Sequence, residues 1–415
     1  MSNIIAMILA GGRGKRMGML CYDKPKPILP FAGKFRVIDF TLSNCIHSQI
    51  REIAVLADYQ RIHMINYLRG WSNHNRSNAI HLLEPKDSSY KGTADAVYQN
   101  LDFLKKHDSE ITLILAGDHI YKMDYRKIID FHKKTGANVT IGVAPIPIEQ
   151  AHRFGIVQAS SEGRVVEFIE KPSSPKSNLV SMGIYVFNSD VLIKRLIDDV
   201  GEPDSPHDFG YAIIPQMVQE DMVYAYKYGD YWQDIGTIEA YYTTNMRLLA
   251  SKSPFSLNGE WPIFTKDYDL KPPQIFRQGI IKNSIISPGC IVKGYVENSI
   301  LAPGCRIEDG TIIKNSILMG KNFIKRYSIV DGCIFDEAAM AEESCFIGFG
   351  SSRVTESCGV TVVGKGAAVP SHTAVGRNCM IEPHTKCNNF EVNMIPCGSD
   401  VSPKPALEAA LASGR

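Results

Sequence analysis

Asp118 and Asp234 are the carboxylates in this sequence best placed to hold a divalent cation. Asp118 follows the wholly apolar run Leu113-Ile114-Leu115-Ala116 and precedes His119. An acid at the tip of a buried strand has no packing task there and suits Mg²⁺, a hard cation that prefers oxygen ligands. Its plainer alternative is an N-cap for a helix beginning near Asp124. Asp234 stands in YWQDIGT, between aromatics and a Gly turn. Alone it reads as an ordinary turn residue, and its weight comes from pairing with Asp118. Two carboxylates sharing one metal that bridges phosphates is a recurrent arrangement for phosphoryl and nucleotidyl transfer.

Anion-binding groups accompany the acids. The run from Ile4 to Ala10 empties into Gly11-Gly12-Arg13-Gly14-Lys15-Arg16. The glycines let the backbone turn tightly and present bare N–H groups, with three cations among them, which points to polyphosphate. A P-loop would need Gly at position 9 and Ser or Thr after Lys15, where the chain has Leu9 and Arg16. A dinucleotide fingerprint starting at Gly12 would need Gly or Ala at 17, where Met17 stands. A basic Gly-rich surface turn is the bland alternative. Lys171 ends Phe168-Ile169-Glu170-Lys171-Pro172, and the proline is expected to hold it extended, aimed at a sugar phosphate. Lys24-Pro25-Lys26-Pro27 supplies two more stiffly held cations close behind the Gly-rich loop. Ser181-Met182-Gly183 offers a hydroxyl and an open backbone for sugar recognition. Gly92-Thr93-Ala94-Asp95-Ala96 opens a helix whose N-terminus suits a base or phosphate, and it reads equally well as a simple capped start. Trp71 and His47, His63, His74 and His81 show no metal spacing and read as packing or surface residues.

These residues must be positioned by two halves with different patterning. Up to about residue 250, short apolar runs (53–57, 111–116, 139–143, 165–169, 183–187) alternate with amphipathic helix candidates (59–68, 93–104, 125–134). The alternation predicts a mostly parallel sheet with helices on both faces, whose ligands sit beyond the carboxyl ends of the strands. A polar, Pro-containing stretch, 251–273, reads as a linker. After it IKNSIISPGCIV, ENSILAPGCRI and KNSILMGKNFI repeat one unit with Asn283, Asn298 and Asn315 in register. Further on, Val363, Val369, Val375 and Ile381 fall at six-residue intervals, which is the signature of a triangular β-solenoid. Residues 274–400 are therefore expected to be a scaffold that also assembles or regulates, and 401–415 a helix-forming tail.

Composition narrows the function classes. Among 415 residues, 45 Lys and Arg offset 44 Asp and Glu, so no global field draws in nucleic acid or a membrane surface. No stretch of about 18 apolar residues suggests a membrane span, and the start of the chain lacks signal-peptide features. The 10 Cys show no CxxC spacing and suit small buried thiols in a reducing cytoplasm.

Together, AGGRGKR, GKFRVIDFTLSNCI, GTADAVYQN, GDHIYKMDY, FGIV, FIEKP, SMGIYVF, HDFG and YWQDIGTIEAYY resemble the ADP-glucose pyrophosphorylases, or glucose-1-phosphate adenylyltransferases. The resemblance spans the whole chain. It implies an α/β protein with a Rossmann-like nucleotidyltransferase domain (1–250) followed by a left-handed β-helix. It also implies transfer of the adenylyl group of ATP to glucose 1-phosphate, giving ADP-glucose and pyrophosphate for glycogen or other α-glucan synthesis. By that resemblance Gly11, Gly12, Gly14 and Arg16 would cradle ATP, with Gly92 beside it and Lys26 helping. Asp118 would be the essential metal carboxylate, joined by Asp234. Tyr90, Gly155, Glu170, Lys171, Ser181 and Gly183 match positions that hold glucose 1-phosphate. The resemblance further implies a cytoplasmic homotetramer and an anionic allosteric effector bound between the domains. Asp23 lies about where some relatives carry an effector-binding Lys, so weak response at most to fructose 1,6-bisphosphate is expected, while Arg36, Arg51 and Lys34 remain nearby and leave an anionic effector site of altered preference. The competing readings are another sugar nucleotidyltransferase using UTP, dTTP or GTP, and a non-catalytic regulatory subunit.

Overall fold

A computed structural model describes residues 3–71, 78–350 and 359–403. His74 and nearly all of the C-terminal tail lie outside these residues.

The first half forms a nine-stranded sheet. Its central path places β1 (Ile4–Leu9) between β4 (Glu52–Leu56) and β6 (Ile111–Ala116), all parallel. A short ribbon, β2 (Pro30–Phe31) and β3 (Phe35–Arg36), lies off the sheet, and β5 (Ala79–Leu83) extends one edge. β7 (His119–Tyr121) leaves the sheet immediately after β6. The remainder is β8 (Val139–Pro145), β9 (Gly155–Ala159), β10 (Val165–Glu170), β11 (Leu179–Asn188) and β12 (Val223–Lys227). Long β11 runs antiparallel to both β6 and β8, and β10 antiparallel to β9. The other seven strands point one way, so the sheet is mostly parallel with two reversed members.

The apolar runs explain this. β1 and β6 are apolar on both sides because both faces are covered. Ile8, Val55 and Leu115 pack under α1 (Ile38–His47), α2 (Arg61–Arg69) and α5 (Tyr125–Thr135). Ile5, Met7 and Ile114 face the opposite layer, which includes α3 (Thr93–Tyr98) and α4 (Leu101–Lys106). The single helix expected over 93–104 is broken in two. Buried Gln99 and Asn100 turn their side chains onto neighbouring loops: Gln99 accepts from the Lys86 amide at 2.9 Å, and Asn100 donates to the Tyr90 hydroxyl at 3.1 Å.

From Gln274 the chain winds as a prism of three parallel sheets with six, seven and seven strands. Its interior is a column of Ile, Val, Leu and Cys. Asn283, Asn298 and Asn315 occupy successive corners with φ of 40°, 46° and 46°, a left-handed conformation Asn tolerates well. Their amides form a ladder, 3.2 Å then 2.7 Å, that ends on Asp331 at 2.8 Å. The stretch 251–273 has no described helix or strand and lies against the first half, where Pro262 O meets the His47 ring at 2.8 Å. Apolar contact joins the halves through Phe31, Phe35 and Tyr241 against Ile317, Ile334 and Val362. No disulfide occurs among the described cysteines, seven of which are buried and two exposed.

Candidate active site

The carboxyl ends of β1 and β6 open into a cleft of about 620 Å³. After β1 the chain is held to its neighbour by Ala10 N donating to Leu56 O at 2.9 Å, and then turns into a 3₁₀ helix over Lys15–Cys21. Gly14 makes that turn with φ of 60°, and a Cβ there would lie 2.8 Å from Cys21 Sγ. At Gly12, by contrast, a Cβ would meet nothing within 4 Å, so the protein's own packing does not demand glycine. Gly11, Gly12, Gly14 and Arg16 all line the cleft, and Lys26 lines it beside Gly14.

Asp118 and Asp234, distant in sequence, are brought together by one ribbon. β7 pairs antiparallel with β13 (Trp232–Asp234), which sets Asp234 across from His119, the neighbour of Asp118. Lys26 Nζ reaches both acids, 3.0 Å from Asp118 Oδ2 and 2.8 Å from Asp234 Oδ1. Burial alone would raise the Asp118 carboxyl, but Lys26 and His119 outweigh it and hold the group at about 2. Burial likewise works against ionised Asp234, and Lys26 and His119 again lower it. Lys26 is raised in turn: burial opposes its charge and the two acids overcome that. Two ionised acids beside the cleft offer mostly oxygen donors, which suits Mg²⁺. The N-cap alternative for Asp118 fails, because Asp124 caps α5 itself, accepting from Arg126 N at 3.0 Å.

The far wall holds Glu170, Lys171 and Gly183. Glu170 pairs with Lys171 Nζ at 2.6 Å, and its carboxyl packs where a Cβ at Gly155 or Gly210 would come within 2.7 or 2.6 Å. Gly155 and buried Ser181 therefore stand behind the wall rather than on its surface. Ser181 Oγ donates to the Tyr185 hydroxyl at 3.2 Å, beside a bulge that carries Gly183 at φ of 65°. Two expectations need correction. Lys171 is not extended: its φ is 45°, because its N–H turns to donate to Phe154 O at 3.0 Å as β10 ends. The N-terminus of α3 is not open to a ligand, because Ala94 N and Asp95 N already donate to His207 O at 2.9 and 3.1 Å. Gly92 does line the cleft, and a Cβ there would strike His207 O at 2.3 Å. Tyr90 sits at the rim, its backbone N donating to Asp58 at 3.3 Å, and burial pushes its phenol up to about 12.

Three further residues belong to this site. His119 Nε2 lies 3.5 Å from Asp118 and 3.8 Å from Asp234, with its ring edge-on to Trp232 at 5.3 Å. Arg153 reaches Asp234 at 3.5 Å. Gly236 leaves room for Arg16, whose guanidinium would lie 2.9 Å from a Cβ there. His119 was legible as the neighbour of Asp118 at the end of an apolar strand. Arg153 gave no local signal.

A nucleotidyl transferase family model matches residues 5–251, and a GlmU-like C-terminal hexapeptide model matches residues 272–369, the repeat unit of left-handed β-helices. The chain is similar to the glucose-1-phosphate adenylyltransferase of Fervidobacterium nodosum, 41% identical over 397 residues, covering 92% of this chain and 95% of that one. The enzyme of that name from Thermotoga neapolitana is 38% identical over 421 residues, covering 97% of this chain and 100% of that one. That from Acetivibrio thermocellus is 39% identical over 404 residues, covering 93% and 95%.

Proposed function

The chain belongs to the glucose-1-phosphate adenylyltransferase family, and from that premise we propose how its cleft carries out the family's reaction. It is a nucleotidyltransferase that joins ATP and glucose 1-phosphate into ADP-glucose and pyrophosphate. A phosphate oxygen of glucose 1-phosphate attacks the α-phosphorus of ATP, the new P–O bond forms, and the bond to the β-phosphate oxygen breaks. No covalent bond to the protein is needed, so catalysis rests on alignment and charge neutralisation.

Asp118 and Asp234 would hold Mg²⁺, which would supply positive charge against that of the phosphates. Gly11, Gly12 and Gly14 present backbone N–H groups to the triphosphate, and Gly12 leaves the space a ligand needs against the chain. Arg16 and Lys26 add positive charge where pyrophosphate departs. Gly92 allows the nucleotide close to the backbone. Lys171 takes the sugar phosphate and Glu170 a sugar hydroxyl, with Tyr90 and Gly183 beside them and Gly155 and Ser181 fixing the wall. The observation that carries this reading is the Lys26-bridged acid pair and the Gly-rich loop meeting in one cleft.

The boundaries at about 250 and 273 separate catalytic and scaffold domains in this reading. The enzyme works in the cytoplasm as a homotetramer built on the β-helix. Any anionic effector acts weakly in this reading, because two of the cations between the domains are already paired: Arg36 with Glu337 at 2.8 Å, and Lys365 with Asp23. No described helix is long and apolar enough to cross a membrane.

Pyrophosphate release with glucose 1-phosphate and each of ATP, UTP, dTTP and GTP tests the assignment. Release with ATP above the others is expected. Release with UTP but not ATP would overturn the choice of base, and silence with all four would favour a non-catalytic subunit.

A further inference from the structure

Far from the cleft, the amino-terminal end of β4 gathers three side chains of a different chemistry. Glu52 opens β4, and His81 lies on the adjacent edge strand β5, two residues beyond the residue paired with Glu52, so both side chains share a face. His107 follows the last residue of α4 and approaches from the helix layer. His81 Nε2 lies 2.7 Å from Glu52 Oε2, and His107 Nδ1 lies 3.8 Å from the same oxygen. One ligand atom from each of the three falls within 4.8 Å of the others. Phe103 sets the rings, lying edge-on to His81 at 5.0 Å and tilted against His107 at 4.6 Å.

We propose that Glu52, His81 and His107 bind a divalent transition-metal ion of the zinc class, separate from the Mg²⁺ of the cleft. Two imidazoles and a carboxylate favour Zn²⁺ or Co²⁺ and disfavour Mg²⁺, which takes oxygen donors. Bond lengths near 2.1 Å place tetrahedral ligands about 3.4 Å apart, and the three groups straddle that spacing. They are 26%, 37% and 19% exposed, so the ion has a path in and a fourth position remains for water. In the metal-free protein His81 Nε2 meets Glu52 Oε2 at 2.7 Å, and coordination through Nε2 would place the ring's proton on Nδ1. The ion clamps edge strand β5 to β4 and to the end of α4. β5 leads directly to the segment carrying Tyr90 at the cleft rim, so the clamp steadies that segment.

The test is competition of metal-depleted full-length protein with a chromophoric chelator for Zn²⁺, in excess Mg²⁺, alongside Co²⁺ absorption. An Asp118→Asn background weakens the cleft as an acceptor, leaving His119 and Asp234 there. The expected result is one Zn²⁺ bound per chain in that background, an intense Co²⁺ visible band of tetrahedral type, and a higher Tm with Zn²⁺. Adding Glu52→Gln or His81→Gln should weaken binding about 100-fold or more, since even outer-shell changes cost 10–100-fold. Glu52→Gln keeps an acceptor for His81, so its fold should survive without metal. Zn²⁺ affinity unchanged by both substitutions, or no bound Zn²⁺ in the Asp118→Asn protein, would overturn the proposal.

Discussion

Lys24 and Lys26 stand two residues apart, each followed by proline and each lodged between two carboxylates, yet they build opposite kinds of site. Lys24 reaches across to the β-helix, 2.6 Å from Asp336 and 3.0 Å from Glu337, and Arg36 completes the group at 2.8 Å from Glu337. Two cations meet two anions there, the Asp336 side chain is only 1% exposed, and the charge closes on itself. Lys26 meets Asp118 and Asp234, with Arg153 at 3.5 Å from Asp234, but here Asp118 is 33% exposed toward the cleft. The same residue types thus become a domain clasp when sealed, and a metal site when open to the cleft.

Breaking the clasp should give the largest effect. Lys24→Met leaves Asp336 buried without its partner, and removing one member of a buried pair costs about 3–5 kcal/mol. Chemical denaturation should show a loss of that size with kcat much less affected; a loss below about 1 kcal/mol would mean the domains do not depend on the clasp. In the open site the signs reverse. Asp118→Asn should leave the fold intact and lower kcat by about 10²–10³, the range for removing one strong electrostatic group. Near-wild-type turnover would reduce Asp118 to a structural residue.

How far this contrast was legible in sequence follows from the distances involved. The Gly-rich loop and Asp118 at the end of its strand are local patterns, each written within a dozen residues, and the asparagine register repeats from Asn283 to Asn315. The unequal fates of Lys24 and Lys26 are not, because their partners lie more than 200 residues away at Asp234 and Asp336. The closed N-terminus of α3 escaped for the same reason, since the carbonyl that fills it belongs to His207. Lys171 misled differently: the restriction imposed by Pro172 was real, but the hydrogen bond to Phe154 O at 3.0 Å accompanies a left-handed backbone instead.

A smaller effect sharpens the division of labour inside the cleft. Lys171→Ala should raise KM for glucose 1-phosphate about 10-fold, the loss of one charged contact, while KM for ATP and kcat change little. Equal damage to both KM values would make Lys171 a shaper of the whole cleft. The smallest effect is on pH. Asp118 drops from 3.8 to about 2 on folding, because Lys26 and His119 outweigh its burial. A depressed carboxyl adds stability above its unfolded value and loses it as pH falls toward its folded one. Denaturation midpoints should therefore fall more steeply between pH 4 and 2 in the wild type than in Asp118→Asn. Identical slopes would show that Lys26 does not discriminate between ionised and neutral Asp118.

The most direct test of the account is the Mg²⁺ dependence of pyrophosphate release from ATP and glucose 1-phosphate, measured for the wild type and Asp118→Asn. An acid pair that holds the metal predicts saturable activation in the wild type. The variant should need much more Mg²⁺ and still fall about 100-fold or more short at saturation. A variant with the same Mg²⁺ dependence and the same kcat would contradict the assignment of Asp118 and Asp234 as the metal site.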